Sequence, residues 1–438
     1  MKFDRIMFSF GKQNKLNITG YALIVIWGMS TWLHINAIFA QLPLIIPCAP
    51  EHGSLPASLS LAIQLGNIGP IVLTIIQKKK LFGWITTDPG LKPPKIISAI
   101  IYIIIIIGSG GSFILAPTWG TNNGSISYAL ILTTFLFALA ATSSSMAFFD
   151  YIKRYTAVFS VNALLFGESL NTILPPLLVL AQTRAYIPPC SNETMNQCGQ
   201  VGVVFKTETY FVIIGCIILF SLFAFLALDC GVVKLVDRSQ SVKSDSIDLN
   251  ENSDNEMVHG GDPKIQTDIK RLLSISVIIN FLSFGILPAL SSLSTLPYGR
   301  KAYLIQSIAT PFANASAVLI GLICSSTKSI YRLIVLLLIG LSGTCYIIAV
   351  SVMSPCSPLY RSQEGAVQII IVWFAVTLFL CYSRLLIVNR IRIIDPSKMF
   401  WFGASVQLGG LLGAVPMYIL TNHSGIFKGT SGCEDIIC

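Results

Sequence analysis

Residues Gly28–Pro47 read GMSTWLHINAIFAQLPLIIP, a run apolar enough to enter a bilayer yet interrupted by Trp32, His34, Asn36 and Gln41. An unpaired amide or imidazole buried in hydrocarbon costs several kcal/mol, so these groups must meet protein, water or a ligand. The surrounding chain is of the same kind. Its 438 residues are 53% hydrophobic and only 11% charged, with a mean hydropathy of +0.73. That balance excludes an ordinary water-soluble domain and specifies a polytopic membrane protein. Apolar runs near the twenty-residue spanning length predict eleven transmembrane helices, at 21–47, 54–77, 95–116, 127–149, 157–182, 209–229, 271–292, 301–324, 330–353, 365–388 and 398–420. The fold class is therefore all-α.

Orientation follows from Lys and Arg, which concentrate in cytoplasmic segments beside helix ends. With the N-terminus inside, only Arg184, Lys206, Arg300, Lys301, Arg361 and Lys428 of the 29 basic residues fall outside. The net charge of +9 thus reports membrane topology, not a nucleic-acid partner. An odd number of spans then puts the C-terminus outside the cell. Two further patterns agree with this. The sequons at Asn123, Asn192 and Asn422 all lie on the expected outer side, as glycosylation requires. Cys48, Cys190, Cys198, Cys356, Cys433 and Cys438 also fall in or beside outer segments, where an oxidising compartment permits disulfides. Cys190 with Cys198 would close a local loop, and Cys356 with Cys433 or Cys438 would tie the ninth-to-tenth loop to the C-terminal tail. The first twenty residues are polar and basic, so the first span is expected to serve as its own insertion signal.

Six spans precede the long polar interruption and five follow it. The organisation is a cytoplasmic tail over 1–20, a six-helix bundle over 21–229, a linker over 230–270, a five-helix bundle over 271–420 and an outer tail over 421–438. The linker is rich in Ser, Asp, Asn and Glu and has too few apolar groups to fold, so it is expected to be disordered and cytoplasmic. Pro43, Gly69-Pro70, Pro175-Pro176, Pro288, Pro311 and Pro416 interrupt spans, each releasing backbone carbonyls and permitting a bend. Gly409 and Gly413 form a GxxxG pair of the type that brings two helices close.

Catalysis needs a reacting constellation, and none is present. His34 is the sole intramembrane histidine, and HExxH, CxxC, GxSxG and phosphate-loop patterns are missing, as are the clustered ligands of a metal site. The spans instead carry neutral polar groups at helical spacing. Trp32 and Asn36 are four apart, Gln64 and Asn67 three apart, and Gln306, Thr310 and Asn314 form an i, i+4, i+8 stripe. Such amides either bond adjacent helices or line a shared polar cavity, and three faces on three helices favour the cavity. Glu168 is the one carboxylate deep in a span. It can bond a hydroxylated ligand, carry a proton, or pair with a polar neighbour. Asp150 beside Lys153 and Arg154, and Arg384 near the end of the tenth span, read as interfacial charges.

The blocks GMSTWLHINAIFAQLPLIIP and LAIQLGNIGPIVLTI, followed in order by ATSSSMAFFDYIKRY, FGESLNTILPPLLVLAQ, NFLSFGILPALSSLSTLPYG and FWFGASVQLGGLLGAVPMY, resemble the eukaryotic riboflavin transporter family of solute carriers. The resemblance runs over nearly the whole chain outside the tails, the linker and the outer loops. It implies a plasma-membrane carrier of eleven spans that imports riboflavin without sodium, built on a six-plus-five plan related to the major facilitator and equilibrative nucleoside transporters. No cofactor is expected beyond riboflavin as the transported substrate, and the partners are riboflavin and the lipid bilayer. Riboflavin joins a flat aromatic ring to a hydroxylated chain. Trp32, Phe148 and Phe149 are expected to offer stacking faces, and Asn36, Gln64, Asn67, Asn280, Asn314 and Glu168 hydrogen bonds. The family often has an acid where this chain has Gln41, which argues against a proton role there. The rival readings are a carrier for another neutral heterocycle such as a nucleoside, and a receptor without transport.

Overall fold

The hydroxyls in GMST accompany a break in the first span. In the computed structural model, which describes residues 16–78, 95–152, 157–184, 186, 202–231, 263–323, 330–395 and 398–429, that span is two helices, α1 (Leu16–Gly28) and α2 (Leu33–Ile45). They meet at 52°. Where helical bonding lapses, carbonyls are released and must be satisfied locally. Ser30 Oγ donates to the Trp27 carbonyl at 2.7 Å and Thr31 Oγ1 to that of Gly28 at 3.0 Å.

The second span is likewise interrupted, between α3 (Leu55–Leu65) and α4 (Ile68–Lys78). Here Thr142 Oγ1 donates to the Gly66 carbonyl at 3.0 Å. A Cβ at Gly66 would lie 2.7 Å from the Ala138 carbonyl carbon, so the crossing needs glycine. Four longer helices complete the first bundle: α5 (Lys95–Thr118), α6 (Tyr128–Ile152), α7 (Ala157–Thr183) and α8 (Thr207–Asp229). At one end of their core, Trp27 packs on Phe148 and Phe225 with ring centroids 4.5 and 5.1 Å away. The Asp229 carboxylate there accepts from Ser98, Tyr102 and Tyr151 at 2.7, 3.1 and 3.3 Å.

The second bundle begins earlier than its hydropathy predicts. Helix α9 (Pro263–Asn280) takes in the last residues of the stretch expected to be linker, with proline opening it, a position whose N–H has no helical partner in any case. Residues 232–262 lie outside the described residues. After α9 the chain widens into a π-helical turn, Phe281–Ile286, and continues as α10 (Leu287–Thr295). Pro288 has no N–H to offer the Phe284 carbonyl four residues back. That carbonyl accepts from Gln64 Nε2, on the other bundle, at 3.4 Å. A short 3₁₀ turn and Gly299, at φ +106°, lead to α11 (Arg300–Ile323), then α12 (Ile330–Val352), α13 (Gln363–Ile394) and α14 (Met399–Asn422).

Among the described residues ten helices are long and apolar enough to cross a membrane, and the bent first pair makes an eleventh. Six spans precede the polar interruption and five follow, with one hydrophobic core mostly in the first bundle and another mostly in the second. The glycine pair of α14 makes the close crossing expected of it. A Cβ at Gly409 would stand 2.5 Å from the Val277 carbonyl oxygen, and one at Gly413 2.6 Å from that of Phe281. At one end of the molecule the bundles are latched together. Ser292 Oγ donates to the Gly53 carbonyl at 2.5 Å and Ser54 Oγ to Asn422 Oδ1 at 3.0 Å, while Ser354 Oγ, donating to the Lys428 carbonyl at 3.2 Å, ties the chain after α14 to the end of α12 within the second bundle. Phe427, beside Lys428, is buried with the second core.

Backbone cannot yield as a side chain can, so Gly409→Ala is expected to destabilise the protein by about 1–3 kcal/mol through overpacking. Gly403, where a Cβ meets nothing within 4 Å, is the control and tolerates alanine. Thermal unfolding of the two variants in detergent makes the comparison, and equal melting temperatures would contradict the close crossing.

Candidate functional site

The breaks in the first two spans and the π turn surround one cavity of about 280 Å³ between the bundles. From the first bundle, Trp32, which caps α2, lines it with Asn36 and Phe39 of α2 and Ser60 and Gln64 of α3. The second bundle contributes Ser283 and Phe284 of the π turn and Ser291 of α10. Tyr303, Gln306, Thr310 and Asn314 of α11 and Trp373, Thr377, Cys381 and Arg384 of α13 complete the wall.

Hydrogen bonds fix most of the polar groups in place. Asn36 Nδ2 donates to Asn171 Oδ1 at 2.9 Å, and Asn171 Nδ2 to Thr31 Oγ1 at 2.7 Å, so α7 orients the amide through the break in the first span. Gln306 Nε2 donates to Thr310 Oγ1 at 3.0 Å, while its Oε1 is buried with no partner among the described residues. Trp373 Nε1 donates to Ser294 Oγ at 3.0 Å, which locks the indole. The Arg384 guanidinium lies 4.8 Å from the centroid of the Phe284 ring. Among the described residues no carboxylate lines the wall. Such a site, aromatic with a few convergent polar groups and one cation, suits a flat, hydrogen-bonding solute that carries no positive charge.

Of the residues expected to bind substrate, the structure brings Trp32, Asn36, Gln64 and Asn314 together on the cavity. It places Asn67, Phe148, Phe149, Glu168 and Asn280 elsewhere. Asn67 is buried behind Gln64 and donates to its Oε1 at 2.9 Å. Phe148 is wholly enclosed against Trp27, and the half-buried Phe149 packs on the same core. Asn280 donates to the Ser276 carbonyl one turn back at 2.7 Å, and Ser276 is held in turn by Ser405 of α14. Glu168 is half-buried on α7 beside the Gly28–Gly167 crossing, and no residue of α7 lines the cavity. His34 and Gln41 are structural. His34 Nε2 meets the Phe137 carbonyl at 3.0 Å, and Gln41 Nε2 donates to Gln182 Oε1.

Tyr303, Trp373 and Arg384 join the site without having been singled out for it. The signal available was the stripe Trp373, Thr377, Cys381, Arg384, which keeps one helix face over three turns. Arg384, read from sequence as interfacial, belongs to the cavity wall.

The remaining expectations divide likewise. Cys356 is disulfide-bonded and so is Cys48. Both flank the latched end, whereas Cys216, Cys230, Cys345 and Cys381 are free. Cys190, Cys198, Cys433, Cys438 and the sequon at Asn192 lie outside the described residues. Asn123 is exposed, its Oδ1 held by Ser125 and Ile126 and its Nδ2 open to solvent. Asn422 differs, because its Nδ2 donates to the Tyr418 carbonyl and Thr421 Oγ1, both at 3.1 Å.

Residues 17–429 match the family model described as "Solute carrier family 52, riboflavin transporter". The chain is 27% identical to "Solute carrier family 52, riboflavin transporter, member 3-B" of Danio rerio, across 96% of this chain and 99% of that one. It is 26% identical to member 2 of Homo sapiens, across 95% and 96%. Among solved structures it is similar to a D-xylose-proton symporter, with a TM-score of 0.59 at 10% identity over 93% of this chain and 90% of that one. The nucleoside transporter NupG gives a TM-score of 0.52 at 11% identity over 96% and 94%. These likenesses establish a fold of the major facilitator type.

The separation of wall from core is measurable. Phe148→Ala empties an enclosed site and should lower stability by about 3–5 kcal/mol. Trp32→Ala, on a wall already open to the cavity, should cost clearly less. Melting temperatures in the reverse order would show the core and wall assignments to be exchanged.

Proposed function

The chain belongs to solute carrier family 52, the riboflavin transporters, and on that premise we propose that its cavity binds riboflavin and that the protein imports it across the plasma membrane. The observation that carries this reading is the cavity itself, at the junction of two bundles, with Trp32 and Trp373 as aromatic walls and the amides of Asn36, Gln64 and Asn314 around them. Riboflavin is neutral, flat at one end and hydroxylated at the other. Stacking and amide hydrogen bonds match both parts.

Transport proceeds by alternating access. The latch through Gly53, Ser54, Ser292 and Asn422 closes one end of the cleft, so substrate exchanges at the other until the latch parts. We assign the latched end to the cell exterior, with the N-terminus cytoplasmic and the C-terminus extracellular. The distribution of basic residues supports this, and so do the disulfide-bonded Cys48 and Cys356 at that end and the solvent-facing Asn123 sequon, which is the favoured glycosylation site. Import needs no sodium, and pH acts on its rate through groups outside the cavity, of which Glu168 is the candidate.

Uptake of radiolabelled riboflavin into proteoliposomes holding the purified protein tests the reading. Saturable accumulation, unchanged when choline replaces sodium and unaffected by excess nucleosides, is expected. Competition by nucleosides would instead identify a general heterocycle carrier, and binding without accumulation a receptor. Asn36→Ala and Gln64→Ala should each weaken riboflavin binding by about 0.5–1.5 kcal/mol, the worth of a hydrogen bond to a neutral group. Trp32→Ala should lose more than Trp32→Phe. Glu168→Ala should leave equilibrium binding intact, and a matching loss there would return this residue to the site.

A further inference from the structure

Arg384 is the only cation on the cavity wall among the described residues, and no acidic residue faces it there. Its contacts within the protein are weak ones, a 3.7 Å approach of Nη2 to Cys381 Sγ and the Phe284 ring beneath it. A guanidinium is a permanent cation with a planar fork of N–H donors. Keeping one on a cavity wall between the bundles without a carboxylate beside it is costly and marks a functional position. A complementary vacancy exists on α11. Gln306 is only 3% exposed, lines the same cavity, and its Oε1 has no donor. The two are well separated. Cys381, one turn before Arg384, reaches the Asn314 carbonyl at 4.0 Å, and Gln306 stands eight residues before Asn314, about 12 Å along the helix axis.

The wall thus offers fixed donors at one end and an unfilled acceptor at the other. Resting on the riboflavin reading, we propose that Arg384 determines specificity by donating its N–H fork to a carbonyl oxygen of the flavin ring and the unprotonated ring nitrogen beside it, while Gln306 Oε1 accepts from a hydroxyl of the sugar-alcohol chain. That oxygen and nitrogen suit the fork because both accept and lie side by side in the ring plane, as a bidentate donor requires. The chain supplies the O–H donors that Gln306 lacks. Phe284, stacked under the guanidinium, holds the fork in place. A cationic heterocycle of the same shape is rejected by the like charge.

Binding is read from quenching of flavin fluorescence by the purified full-length protein in detergent. Two ligands separate the ends: riboflavin, and lumiflavin, which keeps the ring edge and lacks the hydroxylated chain. Arg384→Gln should weaken both by tenfold or more and by a similar factor, with Arg384→Lys between. Gln306→Met should weaken riboflavin several-fold and leave lumiflavin unchanged. A riboflavin analogue with sulfur in place of that carbonyl oxygen should bind the unaltered protein at least several-fold less well, a measurement that needs no variant to fold. Equal affinity for the sulfur analogue, or an Arg384→Gln protein that binds both ligands normally, would overturn the assignment while leaving the transport reading standing. Failure of the unaltered protein to bind riboflavin at all would defeat that reading instead.

Discussion

No water enters hydrocarbon, so a peptide group that leaves the helical pattern must find its partner within the protein. The architecture follows from that constraint. Among the described residues the spans depart from regular helix at 29–32, at Gly66-Asn67 and over Phe281–Ile286, and a polar side chain meets a carbonyl at each. Ser30 and Thr31 act within their own span, Thr142 across the first bundle, and Gln64 across the gap between bundles. The bends open space where straight helices would have closed it, and the same bends supply the polar chemistry lining that space.

The polar residues accordingly fall into two groups. Asn171, Gln41 and Gln182 spend their hydrogen bonds on other segments of the first bundle and hold it together, and Asn280 bonds back onto Ser276 of its own helix. Asn36 and Gln306 are held through their amide nitrogens alone, and Gln306 Oε1 has no partner among the described residues, whereas Gln64 is braced at both ends, by the Phe284 carbonyl and by Asn67. A rigid amide with one open end recognises a ligand without first paying for its own ordering.

Hydropathy made the spans and their six-plus-five grouping legible, because spanning length and apolarity are properties of a segment taken alone. The rotation of each helix is not such a property. Where all faces are apolar, no moment says which one turns inward, so Phe148 on α6 could not be told from a ligand-stacking ring, nor Trp373 on α13 from a lipid-facing one. The Gln64 and Asn67 pair shows a second limit. Helical spacing assumes an unbroken helix, but Gly66-Asn67 is the break itself, and Asn67 turns back to brace Gln64. The stripe on α11 read correctly because that helix runs unbroken through Pro311. The start of α9 shows a third limit, since a polar first turn followed by apolar residues resembles a linker until the proline is read as a helix opening.

Gly410 of α14 never touches the cavity, yet a Cβ there would stand 2.5 Å from Gln64 Oε1. The missing side chain is a spacer that gives the glutamine room to lie back against the opposite bundle. Filling that space would drive the amide into the cavity, or away from the Phe284 carbonyl that orients it. The dimensions of the chamber are therefore tuned from behind, by an atom that is not there. Relatives carrying a larger residue at this position would be expected to hold a smaller or differently shaped cargo while keeping every wall residue the same.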